Sequence, residues 1–419
     1  MVKEIKIQNY KSVQDLTLEL GRMNVLIGAN GCGKSNILEA IAFGSAAADN
    51  KLDKEFLSAR GIRVTDPKAM RSGFNKDSSN QCITLYFNTE GEKVFIEANN
   101  ENSNFSEWEK DTNSGGTVYD IDNYQNKINE IERITKNIDS YKTEQLVNIL
   151  LNFISNKPLD SISNGSKNKI ELNSESVEKL LKYLEYSKLE LRDNIKKISI
   201  VNTFLIYAPE NTFLRKFEEE SQIEPLGIRG EGLFKLLSVM SQETPEEFQE
   251  IIENLELIDW FDGFEIPKDL VFTERRIRIK DRFLEEGLQY FDQRSSNEGF
   301  LFLMFYFALF ISKYTPKFFA IDNIDASLNP KLCIELIKIL TKLAKKHDKQ
   351  VIFTTHNPAI LDGLNLNDDE VRLLVVSRNK EGHTKTKRIL PVEVPEGKVP
   401  VRLSEQFMRG YIGGLPKNF

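Results

Sequence analysis

The segment "MNVLIGANGCGKSNILEAIAF", residues 23–43, leaves few folds open to the chain that carries it. Met23 to Ile27 form a short apolar run suited to a buried parallel strand. Gly28-Ala29-Asn30-Gly31-Cys32-Gly33-Lys34-Ser35 then matches the pattern G-x-x-x-x-G-K-[ST] in full. An amphipathic helix follows, so the unit reads as strand, glycine-rich turn and helix. The glycines let backbone N–H groups curl round an anion, and the helix presents its positive end to the same place. The chemistry implied is a cradle for the phosphates of ATP, formed by Asn30, Gly31, Cys32, Gly33 and Asn36. Lys34 would supply a point charge to the β- and γ-phosphate oxygens, and Ser35 a hydroxyl to Mg2+. Cys32 lies beside a helix N-terminus that favours a thiolate. It reads either as an oxidation switch or as a small residue at a variable position.

Composition narrows the setting. A chain of 419 residues accommodates one large α/β domain with an insertion, or two to three domains. A net charge of −7 argues against wide, unspecific contact with nucleic acid, which needs a basic surface. A local patch stays open, and "TERRIRIKDR" (273–282) is the densest candidate, readable also as a solvated strand with outward basic positions. The longest apolar run, "GFLFLMFYFALFI" (299–311), is too short to span a bilayer and is expected to be a buried helix. Residues 1–20 show no signal-peptide pattern. Cys32, Cys82 and Cys333 give neither a disulfide framework nor a metal-ligand spacing. No membrane contact and a reducing, cytoplasmic location are the expectation.

A second segment, "FAIDNIDASLNP" (319–330), has an apolar run ending in Asp322, as a magnesium-holding strand should. The next position usually carries a glutamate that activates the attacking water, and here it is Asn323. Asparagine can hydrogen-bond a water but cannot accept its proton at neutral pH. Further on, Cys333, Leu336, Ile337, Leu340 and Leu343 fall on one helical stripe. The strand "QVIFTTHNPAIL" then ends in Thr354, Thr355 and His356.

The opening residues, "VKEIKIQNYKSVQDLTLEL", read as two strands joined by a turn, with Leu16, Leu18 and Leu20 on one face. With Ile7, Asn9, Tyr10, Lys11 and Ser12 on the pattern I-x-N-[FY]-[KR]-S, ahead of a phosphate loop at residue 28, the chain resembles the ABC-type ATPases of the RecF/SMC class. The resemblance implies an α/β P-loop fold with a mixed central sheet, an antiparallel β-subdomain and a helical insertion. It implies that Lys11 and Ser12, otherwise a turn, lie near the nucleotide. It gives Asp322, Asn323, Asp325 and His356 the catalytic positions, with Ser35 and Asp322 on the metal. Asp325 takes the acidic place of the "ExxLHP" segment, Asn329 stands where histidine is common, and His356 resembles the histidine that contacts the γ-phosphate. In "RSSNEGFLFLMFYFALF", Ser295, Ser296 and Gly299 would clamp the γ-phosphate of a second subunit's ATP. That stretch also reads as a simple helix N-cap, and its register is open by one residue.

Four segments are expected. Residues 1–100 would be a first ATPase lobe, and the Asn/Ser/Lys/Glu-rich 101–197 a helical insertion with helices near 123–155 and 174–197. Residues 198–363 would be a second lobe, and 364–419 strands with a tail that either docks a partner or packs on its own domain. The relatives that the chain resembles include the accessory ATPases of bacterial anti-phage systems, such as the Septu ATPase. The implied partners are a second copy across the ATP interface and a separately encoded HNH or TOPRIM nuclease, with nucleic acid reached through the complex. A RecF/SMC-like repair or recombination ATPase that clamps DNA itself is the alternative. No clear LSGGQ or Q-loop supports a transporter motor.

Overall fold

The computed structural model describes residues 1–74, 78–90, 92–102, 106–110, 127–129, 131–133, 182, 184, 186–189, 199–217, 225–267, 275–285, 290–391 and 401–415. The chain divides into one unit of Met1–Thr117 with Ile200–Phe419, and another of Val118–Ser199.

The larger unit holds two main sheets. β1 (Val2–Tyr10) and β2 (Val13–Glu19) form the expected hairpin. β1 also pairs with β4 (Ile83–Thr89), followed by β5 (Glu92–Asn99) and β6 (Glu109–Lys110), all antiparallel. Alternate residues such as Ile5, Ile7, Leu16, Leu18, Leu85 and Phe87 are buried, the period-two pattern of a sheet with one covered face. The second sheet has the order β13-β12-β3-β11-β10-β7. Its strands are β3 (Met23–Ile27), β7 (Ile206–Tyr207), β10 (Phe318–Ile321), β11 (Gln350–Thr355), β12 (Val371–Arg378) and β13 (Thr384–Ile389). All run parallel except β13, which closes one edge antiparallel to β12. Every residue of β3, β10 and β11 is buried, as expected of parallel strands covered on both faces. A small hairpin of β8 (Phe261–Glu265) and β9 (Arg278–Asp281) completes the strands. The mixed sheet and the antiparallel sheet are those that the sequence implied.

Helix α1 (Lys34–Ala48) packs against strands of both sheets. Its run of alanines and glycine allows close approach: a side chain at Gly44 would meet Leu85 and Phe87 at 2.8 and 3.0 Å. The helix is apolar nearly all round, not amphipathic as the sequence implied, with Glu39 as its one buried carboxylate. The run at 299–311 lies in a helix, Glu298–Ile311, and Phe300 to Ile311 are all buried. Each fully buried phenylalanine there contributes about 1.5–3 kcal/mol of hydrophobic stabilisation. Among the described residues no helix is long and apolar enough to cross a membrane.

In "SIVNTFLIYAPENTFLRKF" the strand is only Ile206–Tyr207, and Asn211–Lys216 is a helix. Packing decides this: Leu214 is fully buried, and the helix lies against Glu298–Ile311. In 273–282, the described residues include strand β9, with Ile279 inward and Lys280 outward. In the tail, Phe407 and Ile412 join the main core, and the helix Leu403–Met408 rests on the turn Pro358–Gly363.

In the second unit the described residues 127–129, 131–133, 182, 184 and 186–189 are helical. Ile128, Ile131 and Leu184 are buried, and Lys188 pairs with Glu132 at 2.6 Å. The remainder of the helices expected at 123–155 and 174–197 lies outside the described residues.

Candidate functional site

Strand order creates the site. β3, β11 and β10 are adjacent and parallel, so the segments leaving their carboxyl ends meet above the sheet edge. These are the phosphate loop after Ile27, His356 after Thr355, and Asp322 after Ile321. Residues separated by some 300 positions become neighbours because strands lie about 4.8 Å apart.

The loop is shaped to hold an anion. Gly31 and Gly33 have φ of 70° and 109°, values that side-chain-bearing residues rarely adopt. No side chain caps the start of α1, which leaves its first N–H groups without an internal partner. Lys34 is buried and folds back, its Nζ donating to the carbonyls of Gly28 at 2.9 Å and Ala29 at 3.2 Å. Burial lowers the pKa of its ammonium. Asn30 and Gly31 are exposed, whereas the Cys32 side chain turns inward to within 3.9 Å of Lys34 Nζ.

Ser35 Oγ donates to Asp322 Oδ2 at 3.2 Å, which joins the two residues assigned to a metal. The other Asp322 oxygen accepts the Thr354 hydroxyl, and Thr354 Oγ1 accepts the backbone N–H of Asn323 at 2.9 Å. Asn323 is exposed with φ of 56°, a left-handed conformation that asparagine tolerates better than most residues. Asp325 accepts the Thr355 hydroxyl at 2.6 Å. His356 is exposed, and partial burial of its ring together with the Lys34 charge lowers its pKa, which favours the neutral imidazole.

Lys11 sits in the β1–β2 turn with φ of 45°, its ammonium paired with the buried Glu39 and bonded to the Arg63 carbonyl. Arg63 Nε donates to the same carboxylate at 2.5 Å. Asn36 Nδ2 donates to Ser12 Oγ at 2.6 Å. Lys11, Ser12, Asn36, Arg63, Phe74 and Arg378 line a cleft of about 600 Å³ beside the loop, with room for the nucleoside end of a ligand.

The residues assigned to the clamp divide. Ser295 is exposed, while Ser296 is buried with a hydroxyl that finds no partner. Asn297 Oδ1 accepts the Phe300 N–H at 2.8 Å, so the helix N-cap exists. Gly299 faces the turn after Asp325: a side chain there would meet the Ser327 carbonyl at 3.4 Å. Among the described residues no hydrogen bond joins this segment to the phosphate loop of the same chain. Asn329 caps the helix Pro330–Lys346 by accepting the Leu332 N–H at 2.9 Å, which gives that position a local reason to be asparagine.

Sequence reasoning missed Glu39, Arg63 and Thr384. Glu39 carried a signal, a lone carboxylate in an apolar helix; Arg63 and Thr384 carried none.

Residues 23–362 match the family described as "AAA domain, putative AbiEii toxin, Type IV TA system". Over 52 residues, 12% of this chain, it is 42% identical to the DNA double-strand break repair Rad50 ATPase of Sulfolobus acidocaldarius. Over 94 residues, 19% of this chain, it is 33% identical to the DNA replication and repair protein RecF of Phocaeicola vulgatus. These matches span only 6% and 25% of the two relatives. An SMC head solved bound to the C-winged helix domain of ScpA superposes with a TM-score of 0.51. It covers 93% of this chain and 98% of that one at 15% identity, a likeness of fold.

Proposed function

We propose, because the chain belongs to the family described as "AAA domain, putative AbiEii toxin, Type IV TA system" and is an ABC-type ATPase of the RecF/SMC-like class, that it is an ATP-gated switch. It binds Mg-ATP, pairs with a second copy through the nucleotide face, and hydrolyses ATP slowly. Its output is the state of a separately encoded nuclease in an anti-phage system of the Septu type.

The observation that carries this reading is Asn323. At the edge of the site where a base would stand, its side chain is an exposed amide. Asp325, the nearest alternative in sequence, already accepts the Thr355 hydroxyl. The amide can orient a water yet cannot take its proton.

The loop, Lys34 and the uncapped α1 fit the β- and γ-phosphates, and the cleft beside Lys11 and Ser12 fits the nucleoside. Ser35 and Asp322, already 3.2 Å apart, fit as magnesium holders. When bound, magnesium neutralises charge on the phosphate oxygens. His356, whose lowered pKa favours the neutral imidazole, can donate to a phosphate oxygen or exchange a hydrogen bond with the attacking water. Ser295 and the start of Glu298–Ile311 would meet the partner copy's ATP, with Ser296 buried behind them.

The names of the two curated relatives favour a second reading, a repair ATPase that clamps DNA itself. One experiment separates the two. The tagged chain is expressed with its chromosomal neighbours, purified on the tag, and assayed for duplex DNA binding. An HNH or TOPRIM nuclease is expected to co-purify, and the chain alone to bind no DNA. ATP-dependent, salt-sensitive DNA binding by the chain alone, with no nuclease retained, would overturn the switch in favour of the clamp.

A further inference from the structure

We propose that Thr384 is a positioning residue of the phosphate loop, the keystone of a directed chain of hydrogen bonds that sets the loop's backbone. Thr384 opens β13, more than 350 positions after the loop, and is fully buried. Its Oγ1 donates to the carbonyl of Cys32 at 3.0 Å and lies 2.7 Å from Ser12 Oγ. Ser12 Oγ in turn accepts Asn36 Nδ2 at 2.6 Å, and the Thr384 N–H donates to the Ser12 carbonyl at 2.8 Å.

The direction of the chain follows from its ends. The Asn36 amide nitrogen can only donate, and the Cys32 carbonyl can only accept. Each hydroxyl has one proton, so Ser12 must donate to Thr384 and Thr384 to Cys32. The relay thus runs from the first turn of α1, through the β1–β2 turn, back to the loop. Ser12, Cys32 and Thr384 are all buried, where an unpaired polar group is costly.

The consequence for the loop is geometric. A trans peptide points its C=O and N–H in opposite directions. Holding the Cys32 carbonyl on Thr384 therefore turns the Gly33 N–H away from the hairpin and keeps it free for an anion. The same hydroxyls fill the space beside Gly33, where a side chain would come within 2.1 Å of Thr384 Oγ1 and 2.9 Å of Ser12 Oγ. Gly33 is glycine for two reasons, its φ of 109° and this contact. The hairpin that carries Thr384 also reaches the cleft, with the His383 ring 5.1 Å from that of Phe74.

The role in binding rests on the ATP reading above, and the test keeps the two apart. Thr384→Val removes the hydroxyl and keeps the shape, Thr384→Ser keeps the hydroxyl, and Lys34→Ala reports whether ATP uses the loop at all. Thr341→Val serves as a control, since that hydroxyl donates to Ile337 O at 2.7 Å within the helix Pro330–Lys346. Mg-ATP affinity is expected to fall about tenfold in Thr384→Val and to stay within about threefold of wild type in Thr384→Ser and Thr341→Val. Amide hydrogen exchange without nucleotide is expected to speed up over residues 29–35 in Thr384→Val, with β4 unchanged. Equal losses in the valine and serine variants, or wild-type exchange at the loop in Thr384→Val, would overturn the proposal. If wild type and Lys34→Ala bind ATP equally poorly, the ATP reading fails, and the exchange measurement still decides the role of Thr384.

Discussion

Lys34→Ala is expected to weaken Mg-ATP binding on the order of 100-fold, the loss of one or two charge-assisted hydrogen bonds to phosphate. The ammonium is buried and needs only to exchange the Gly28 and Ala29 carbonyls for phosphate oxygens. Both carbonyls belong to the loop that surrounds the anion, so the side chain moves little and binding orders little that is not already ordered. Isothermal titration of the variant against wild type measures the effect. Melting of both proteins without nucleotide separates lost binding from lost folding. Affinity within about threefold of wild type, at an unchanged melting temperature, would show that the ligand does not sit in this loop.

The second large effect concerns rate. Asn323→Glu is expected to raise the single-turnover rate of ATP hydrolysis by about 10²–10⁴-fold, the usual contribution of a positioned general base. The new carboxylate would stand next to Asp322 in sequence, at an exposed position. Its pKa needs no special tuning to act as a base, because solvent can carry the proton away. The substitution has a backbone consequence as well. Glutamate at φ of 56° is less comfortable than asparagine, so the variant should be less stable by about 1 kcal/mol. Faster hydrolysis together with a slightly lower midpoint in urea would fit both effects. A rate unchanged from wild type, with ATP affinity retained, would mean that position 323 does not face the attacking water.

What could be read from the chain before its structure depended on how local each feature is. The phosphate loop is one strand, one turn and one helix start within 13 consecutive residues, 23–35, so its pattern is complete in the sequence. The helix Glu298–Ile311 is legible for another reason: apolar residues on every side leave burial as the only stable outcome. Asp322 and His356 stood out as polar residues at the tips of apolar runs, and parallel pairing of β10 with β11, and of β11 with β3, gives those tips a common edge. Features set by long-range contact were hidden. The helix Asn211–Lys216 forms because Leu214 has an apolar neighbour to cover, and nothing in "ENTFLRK" announces that neighbour. Which of Ser295 and Ser296 turns outward depends on how the segment meets the core, a one-residue difference below the resolution of a motif. The same holds for Thr384, whose partners lie 352 and 372 positions away. Asn323 was visible as an oddity at a catalytic position; its left-handed backbone supplies a local reason for the residue type.

The central claim is that this chain holds ATP in a paired state for much longer than it takes to bind it. The most direct measurement incubates wild-type protein with magnesium and γ-labelled ATP, separates the mixture by size with light scattering, and assays the nucleotide in each fraction. The expected result is a particle of twice the mass of the chain that carries intact ATP, with turnover well below about 1 per second. Steady release of labelled phosphate at or above that rate, or ATP bound without any change in mass, would contradict it.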